Sequence, residues 1–171
     1  AVSIWSARRD GTLRRIVASP LPRTRIYFGL LIGAALQSVM QALMVMIPSK
    51  LFFGAHYASV WYDNLILFAL LVLLGTTVSA VCSLIGLVMK ISPYVPIMAV
   101  TWFLCFFSGT FSAQMKLEKI ALPPALAQEA AFDLTLFGQH EKAFVFMVFC
   151  ALILVCSTFL GTQALRRKRL V

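Results

Sequence analysis

Charged side chains vanish from four long stretches of the chain, residues 26–47, 65–89, 94–113 and 143–165. None of the four alternates apolar and polar positions with a period of two, so none reads as a strand of a sheet or barrel. Each holds about 20 residues or more, and at about 1.5 Å per residue that length crosses a hydrocarbon core of about 30 Å. The pattern predicts four membrane-spanning helices.

The connections sharpen this picture. Residues 48–64 hold Pro48, Gly54 and the aromatic group Tyr57, Trp61 and Tyr62, whose polar edges suit the headgroup level. Residues 90–93 make a tight turn, where Ser92-Pro93 biases the chain out of helix. Residues 114–142 read as two short helical pieces, 115–121 and 125–132, broken by Pro123-Pro124. Their mixed composition suits a segment that lies on the interface or dips into it.

Composition agrees with a lipid solvent. Of 171 residues 61% are hydrophobic and 12% charged, whereas a soluble domain carries about 25% charged residues. The net charge of +9 could point to nucleic acid, but ten of the 15 basic residues fall in two blocks, 8–25 and 166–169. Both flank apolar runs, as topology signals do, and no nucleic-acid partner is expected. With both termini in the cytoplasm, 11 basic residues lie inside and 4 outside, and five of the six acids lie outside. That orientation satisfies the positive-inside rule. The chain begins with Ala1 and reads as a piece of a longer protein or a processed one.

The expected fold is all-α: a polytopic membrane helix bundle with four transmembrane helices, a short amphipathic cytoplasmic helix and short outer interfacial helices. Residues 1–25 form the cytoplasmic segment and residues 26–171 the transmembrane domain. In the former, residues 1–5 suit the last turn of a helix leaving the membrane, and Asp10-Gly11 is a turn signal. Thr12 suits the N-cap of a helix over 13–18, with Leu13, Ile16 and Val17 on one face and Arg14 and Arg15 on the other. Ser19-Pro20 ends it, and Pro22 suits the first turn of the next helix. Such a helix either binds anionic lipid headgroups or docks a partner.

The run Arg9-Asp10-Gly11-Thr12-Leu13-Arg14, followed by apolar residues up to Ser19-Pro20, resembles the inner segment of type-2 ABC exporter permeases. The stretch 107–111 is similar to that family's Ser-Gly turn at the outer end of its fifth span. The stretch 115–132 resembles its short outer helices, and the basic tail 166–169 fits as well. The resemblance covers essentially the whole chain and matches the last four of six spans. It implies a permease that pairs with a separate ATP-binding ABC ATPase subunit and a second permease copy, in a homo- or heterodimer. The cargo of such permeases is a lipid, a drug-like molecule or a polysaccharide. It also implies an ATPase-docking role for Arg9, Asp10, Gly11, Thr12, Leu13, Arg14, Ser19 and Pro20. Ala7, Arg9 and Arg14 stand where the family commonly has acids, and two amino-terminal spans have no counterpart here.

Chemical motifs are few. The chain has no G-x-x-x-x-G-K-[ST], H-E-x-x-H or G-x-S-x-G, so no nucleotide, zinc-peptidase or serine-hydrolase site of those kinds is expected. Cys82, Cys105, Cys150 and Cys156 fall inside apolar runs, His56 and His140 fall in loops, and no metal or cofactor is expected. Two stripes within the spans stand out. Gly29, Gly33, Gln37 and Gln41 recur every four residues, and Gly75, Ser79, Ser83 and Gly86 make a second small-residue face. Both suit close helix packing, or a polar path between helices.

Overall fold

The computed structural model describes residues 10–12, 15–16, 20–54, 57, 60–88, 94–107 and 123–167. From residue 20 on, the described residues form in order the helices α1 (Arg23–Phe53), α2 (Trp61–Val88), α3 (Tyr94–Phe107), α4 (Pro123–Phe132) and α5 (Glu141–Arg167). A π-helical turn, Asp133–Phe137, joins α4 towards α5. The fold is an all-α helical bundle, and no strand occurs among the described residues.

α1, α2 and α5 begin ahead of the apolar stretches that predict them. α1 starts at Arg23 and continues through Pro48 to Phe53, although 48–53 was expected as loop. A proline inside a helix removes one donor but need not end it. The stop is Gly54, whose φ of 59° lets its N–H reach back to Ser49 O. α2 likewise begins at Trp61, ahead of the expected 65.

Among the described residues α1, α2 and α5 are long and apolar enough to cross a membrane. The remaining expected span, 94–113, is met by α3, whose 14 residues reach only about 21 Å. Positions 108–113 lie outside the described residues, as does the expected piece 115–121. The other expected piece is α4, and Pro123-Pro124 opens it, which suits the first turn because those N–H groups have no helical partner anyway.

α1, α2 and α5 pack on one another, and α4 packs on α2 and α5. Two cores hold them. At one end Tyr27, Leu87 and Leu165 meet, joining the start of α1 to the ends of α2 and α5. At the other, Leu67 and Leu70 of α2 meet Ala143, Phe146 and Cys150 of α5 and Ala130 and Leu134 from the α4 side. α2 and α5 therefore run parallel, with α1 antiparallel to both. The first end carries Arg23 and Arg25; the second carries Asp63, Asp133 and Glu141. The rest of the chain covers only 11% of the apolar window of α1, 28% of that of α2 and 22% of that of α5. Water tolerates contiguous apolar surface of a few hundred Å² on a monomer; a lipid solvent requires it.

Candidate functional site

Four regions hold the residues that could carry function. The first precedes α1. Gly11 has φ of 74°, a left-handed conformation that a side chain would strain. Its carbonyl accepts the N–H of Arg15 at 3.2 Å, and Thr12 is already helical. Gly11 therefore takes the capping position expected for Thr12, because only the residue outside the helix can adopt the positive φ. Asp10, Thr12 and Pro20 are exposed and Gly11 is half-buried. Arg9, Leu13, Arg14 and Ser19 lie outside the described residues. The chain bends at Pro20 and Leu21, and Pro22 stands in extended conformation just ahead of α1 rather than in its first turn.

The second region comprises the two small-residue stripes. Gly29, Gly33, Gln37 and Gln41 are all exposed, and a Cβ added at either glycine would meet nothing within 4 Å. Among the described residues nothing packs against this stripe. The second stripe does face inward: Gly75, Ser79 and Ser83 are half-buried and Gly86 is buried. A Cβ on Gly75 would lie 2.7 Å from Ser38 Oγ, so this glycine sets the crossing of α1 and α2. Sequence reasoning missed Gly161. Its Cα lies against the Tyr27 ring so closely that any Cβ would collide with it. Tyr27 is fully buried, and its hydroxyl shares a 2.8 Å hydrogen bond with Ser157 Oγ one turn away. A Ser-x-x-x-Gly spacing in an apolar run was the available signal.

The third region is the acidic end. Asp63, expected among loop charges, sits in the first turn of α2 and is only 4% exposed. The positive helix terminus favours a carboxylate there. Its Oδ1 has no hydrogen-bond partner, and His140 Nε2 stands 3.8 Å away. Asp133 accepts from Lys142 Nζ at 2.9 Å, with Glu129 at 3.8 Å from the same ammonium. These pairs tie α4 and the π turn to the first turn of α5. Replacing Lys142 with glutamine is expected to speed backbone amide exchange over residues 133–139 by several-fold and leave the melting temperature unchanged. Uniform exchange in both proteins would show that the pair contributes nothing measurable, as many exposed pairs do. Groups of three or more His, Cys, Asp or Glu able to hold a metal do not occur among the described residues.

α4 reaches into the bundle from this end. Pro123 and Pro124 line a small apolar cavity with Ile153 of α5 and Thr77 and Val81 of α2. Ile153 lies about 18 Å along α5 from Glu141, so α4 begins near mid-bundle and rises to the acidic end. α4 thus lies alongside α2 and α5 rather than beyond the end of the bundle.

The fourth region is a lateral groove of about 650 Å³ between α1 and α5, open towards the surroundings. It runs from Thr24 to Ala35 on one wall and from Thr162 to Leu154 on the other.

Three largely uncovered apolar helices of membrane-crossing length, with α4 packed beside two of them, define the class: a helix bundle suited to embedding in a membrane. No protein-family model matches the chain, and neither does any curated protein or solved structure.

Proposed function

We propose that this chain is the membrane-spanning permease subunit of an ABC-type exporter. It works with a separate ATP-hydrolysing subunit and a second permease copy, and moves a lipid, a drug-like molecule or a polysaccharide. The observation that carries this reading is the left-handed bend at Gly11 followed at once by a helical turn. With the bend at Pro20 and Leu21, it sets the helical residues Thr12, Arg15 and Ile16 apart from α1, where they could press on a partner. The orientation with both termini in the cytoplasm of a cell membrane puts these residues on the side where ATP is. The exposed glutamines on α1 support a partner helix there, since two amides facing lipid cost more than two amides facing each other. In this role the chain carries no catalytic site, and ATP chemistry belongs to its partner.

The test is to purify the tagged full chain from its native membranes in mild detergent and measure co-purifying ATP hydrolysis. Gly11→Asp and Leu13→Asp are each expected to reduce it at least tenfold while the melting temperature holds. Leu13→Asp is the cleaner variant, because Gly11→Asp also strains the backbone by about 1–2 kcal/mol. Retention of the ATPase by both variants would remove the docking role from this segment. Absence of any ATPase with the unaltered chain would favour a membrane anchor or assembly protein without transport.

A further inference from the structure

The groove between α1 and α5 lies at the basic end of the bundle. Its walls include Phe28, Ile32 and Ala35 from α1 and Val155, Phe159 and Thr162 from α5. Threonines line it too, and the hydroxyls of Thr76, Thr158 and Thr162 are already used. Thr158 donates to Leu154 O at 2.6 Å, Thr162 to Phe159 O at 2.9 Å, and Thr76 on the floor to Val72 O at 2.7 Å. Each of these three therefore presents a methyl group, and the groove is apolar beyond Thr24 at its basic end.

Its dimensions match one leaflet. From Thr24 to Ala35 the helix rises about 16 Å, against about 15 Å for half a hydrocarbon core. Its open end is flanked by charge. Thr24 lines the groove, and Arg23 and Arg25 are its neighbours in the first turn of α1. Among the described residues neither guanidinium has an ion-pair partner. Of the described acids, Asp63, Glu129, Asp133 and Glu141 belong to the opposite end, and Asp10 precedes α1.

We propose that this groove binds one resident anionic phospholipid, with an acyl chain between α1 and α5 and its phosphate held by Arg23 and Arg25. The lipid replaces a missing helix neighbour for both, closing the side of the bundle that the chain leaves open. The site requires no ATPase and stands independently of the exporter reading.

Native mass spectrometry of the detergent-solubilised full chain, titrated with palmitoyl-oleoyl phosphatidylglycerol or the matching phosphatidylcholine, tests it. The unaltered chain is expected to retain phosphatidylglycerol preferentially. Each of Arg23→Gln and Arg25→Gln reduces that preference about fivefold, as expected for one basic residue at a membrane surface. Ala35→Trp fills the groove and reduces retention of both lipids about tenfold, whereas Leu36→Trp, on the exposed face outside the groove, changes neither. Val155→Trp fills the groove from the α5 side and replaces Ala35→Trp if that variant melts early. Unchanged retention in the groove-filling variant overturns the site, leaving only diffuse surface attraction. Equal retention of the two lipids by the unaltered chain overturns the phosphate assignment.

Discussion

Leucine in place of Gly161 is expected to destabilise the bundle by about 3 kcal/mol. The cause is local. The Tyr27 ring occupies the space a side chain would need, and Leu87 and Leu165 close the ring in from two other helices. The ring has nowhere to retreat, so either α1 moves outward or Tyr27 leaves its pocket and gives up its bond to Ser157. Overpacking costs about 1–3 kcal/mol, and a hydrogen bond between membrane helices adds about 1 kcal/mol. For a chain of this size the melting temperature should fall by about 10 °C in detergent. Tyr27→Ala alone leaves a cavity and costs about 3 kcal/mol. The two changes together should cost clearly less than their sum, because the leucine then fills the space the ring vacates. Strict additivity, or a Gly161→Leu protein that melts like the unaltered one, would mean that α1 and α5 do not meet at this pair.

The second large effect belongs to Gly75, and it separates two glycines that look alike in sequence. A Cβ at Gly75 would stand 2.7 Å from Ser38 Oγ and 3.0 Å from Ser38 Cβ. Ser38 is buried and already donates its hydroxyl to Ala34 O at 2.9 Å, so it cannot swing away cheaply. Gly75→Leu is expected to push α1 off α2 at a cost of about 2 kcal/mol. Gly33→Leu meets open space and should leave the melting temperature of the monomer unchanged. Its effect should fall on self-association instead, which cross-linking in vesicles reads directly. If Gly33→Leu destabilised the monomer as much as Gly75→Leu, the outward placement of the Gly29–Gln41 face would be wrong.

These glycines also show how far the sequence could be read. Gly29 and Gly33 make the more obvious motif, and Gln37 and Gln41 extend it, yet the chain packs α1 on α2 through Ser38 and on α5 through Tyr27. Small-residue spacing marks a surface that can pack closely and says nothing about which neighbour packs on it. Asp63 teaches the same lesson with charge. It falls within the loop expected over 48–64, beside aromatic residues, but α2 begins early enough, at Trp61, to carry it into the packed end of the bundle. Pro48 reads as a loop residue because prolines usually close helices; α1 continues past it to Gly54, whose positive φ is the stronger stop.

The sequence by itself determined the solvent, the helical class and the approximate reach of α1, α2 and α5. Those properties are local. Lipid offers no partner to a bare backbone amide, so a long uncharged run must form its own helix, wherever the rest of the chain lies. The arginines and most of the acids also fall at opposite ends through their positions along the chain alone. Which face of each helix turns inward was left to the tertiary structure. Apart from the glutamines of α1, these helices are apolar on nearly every side, and in lipid an apolar face gains little by turning from tails to a neighbour. Shape decides instead: a ring against a bare Cα at Gly161, a serine against Gly75, α4 seated between α2 and α5. Such fits join residues far apart in sequence, and no single run contains them.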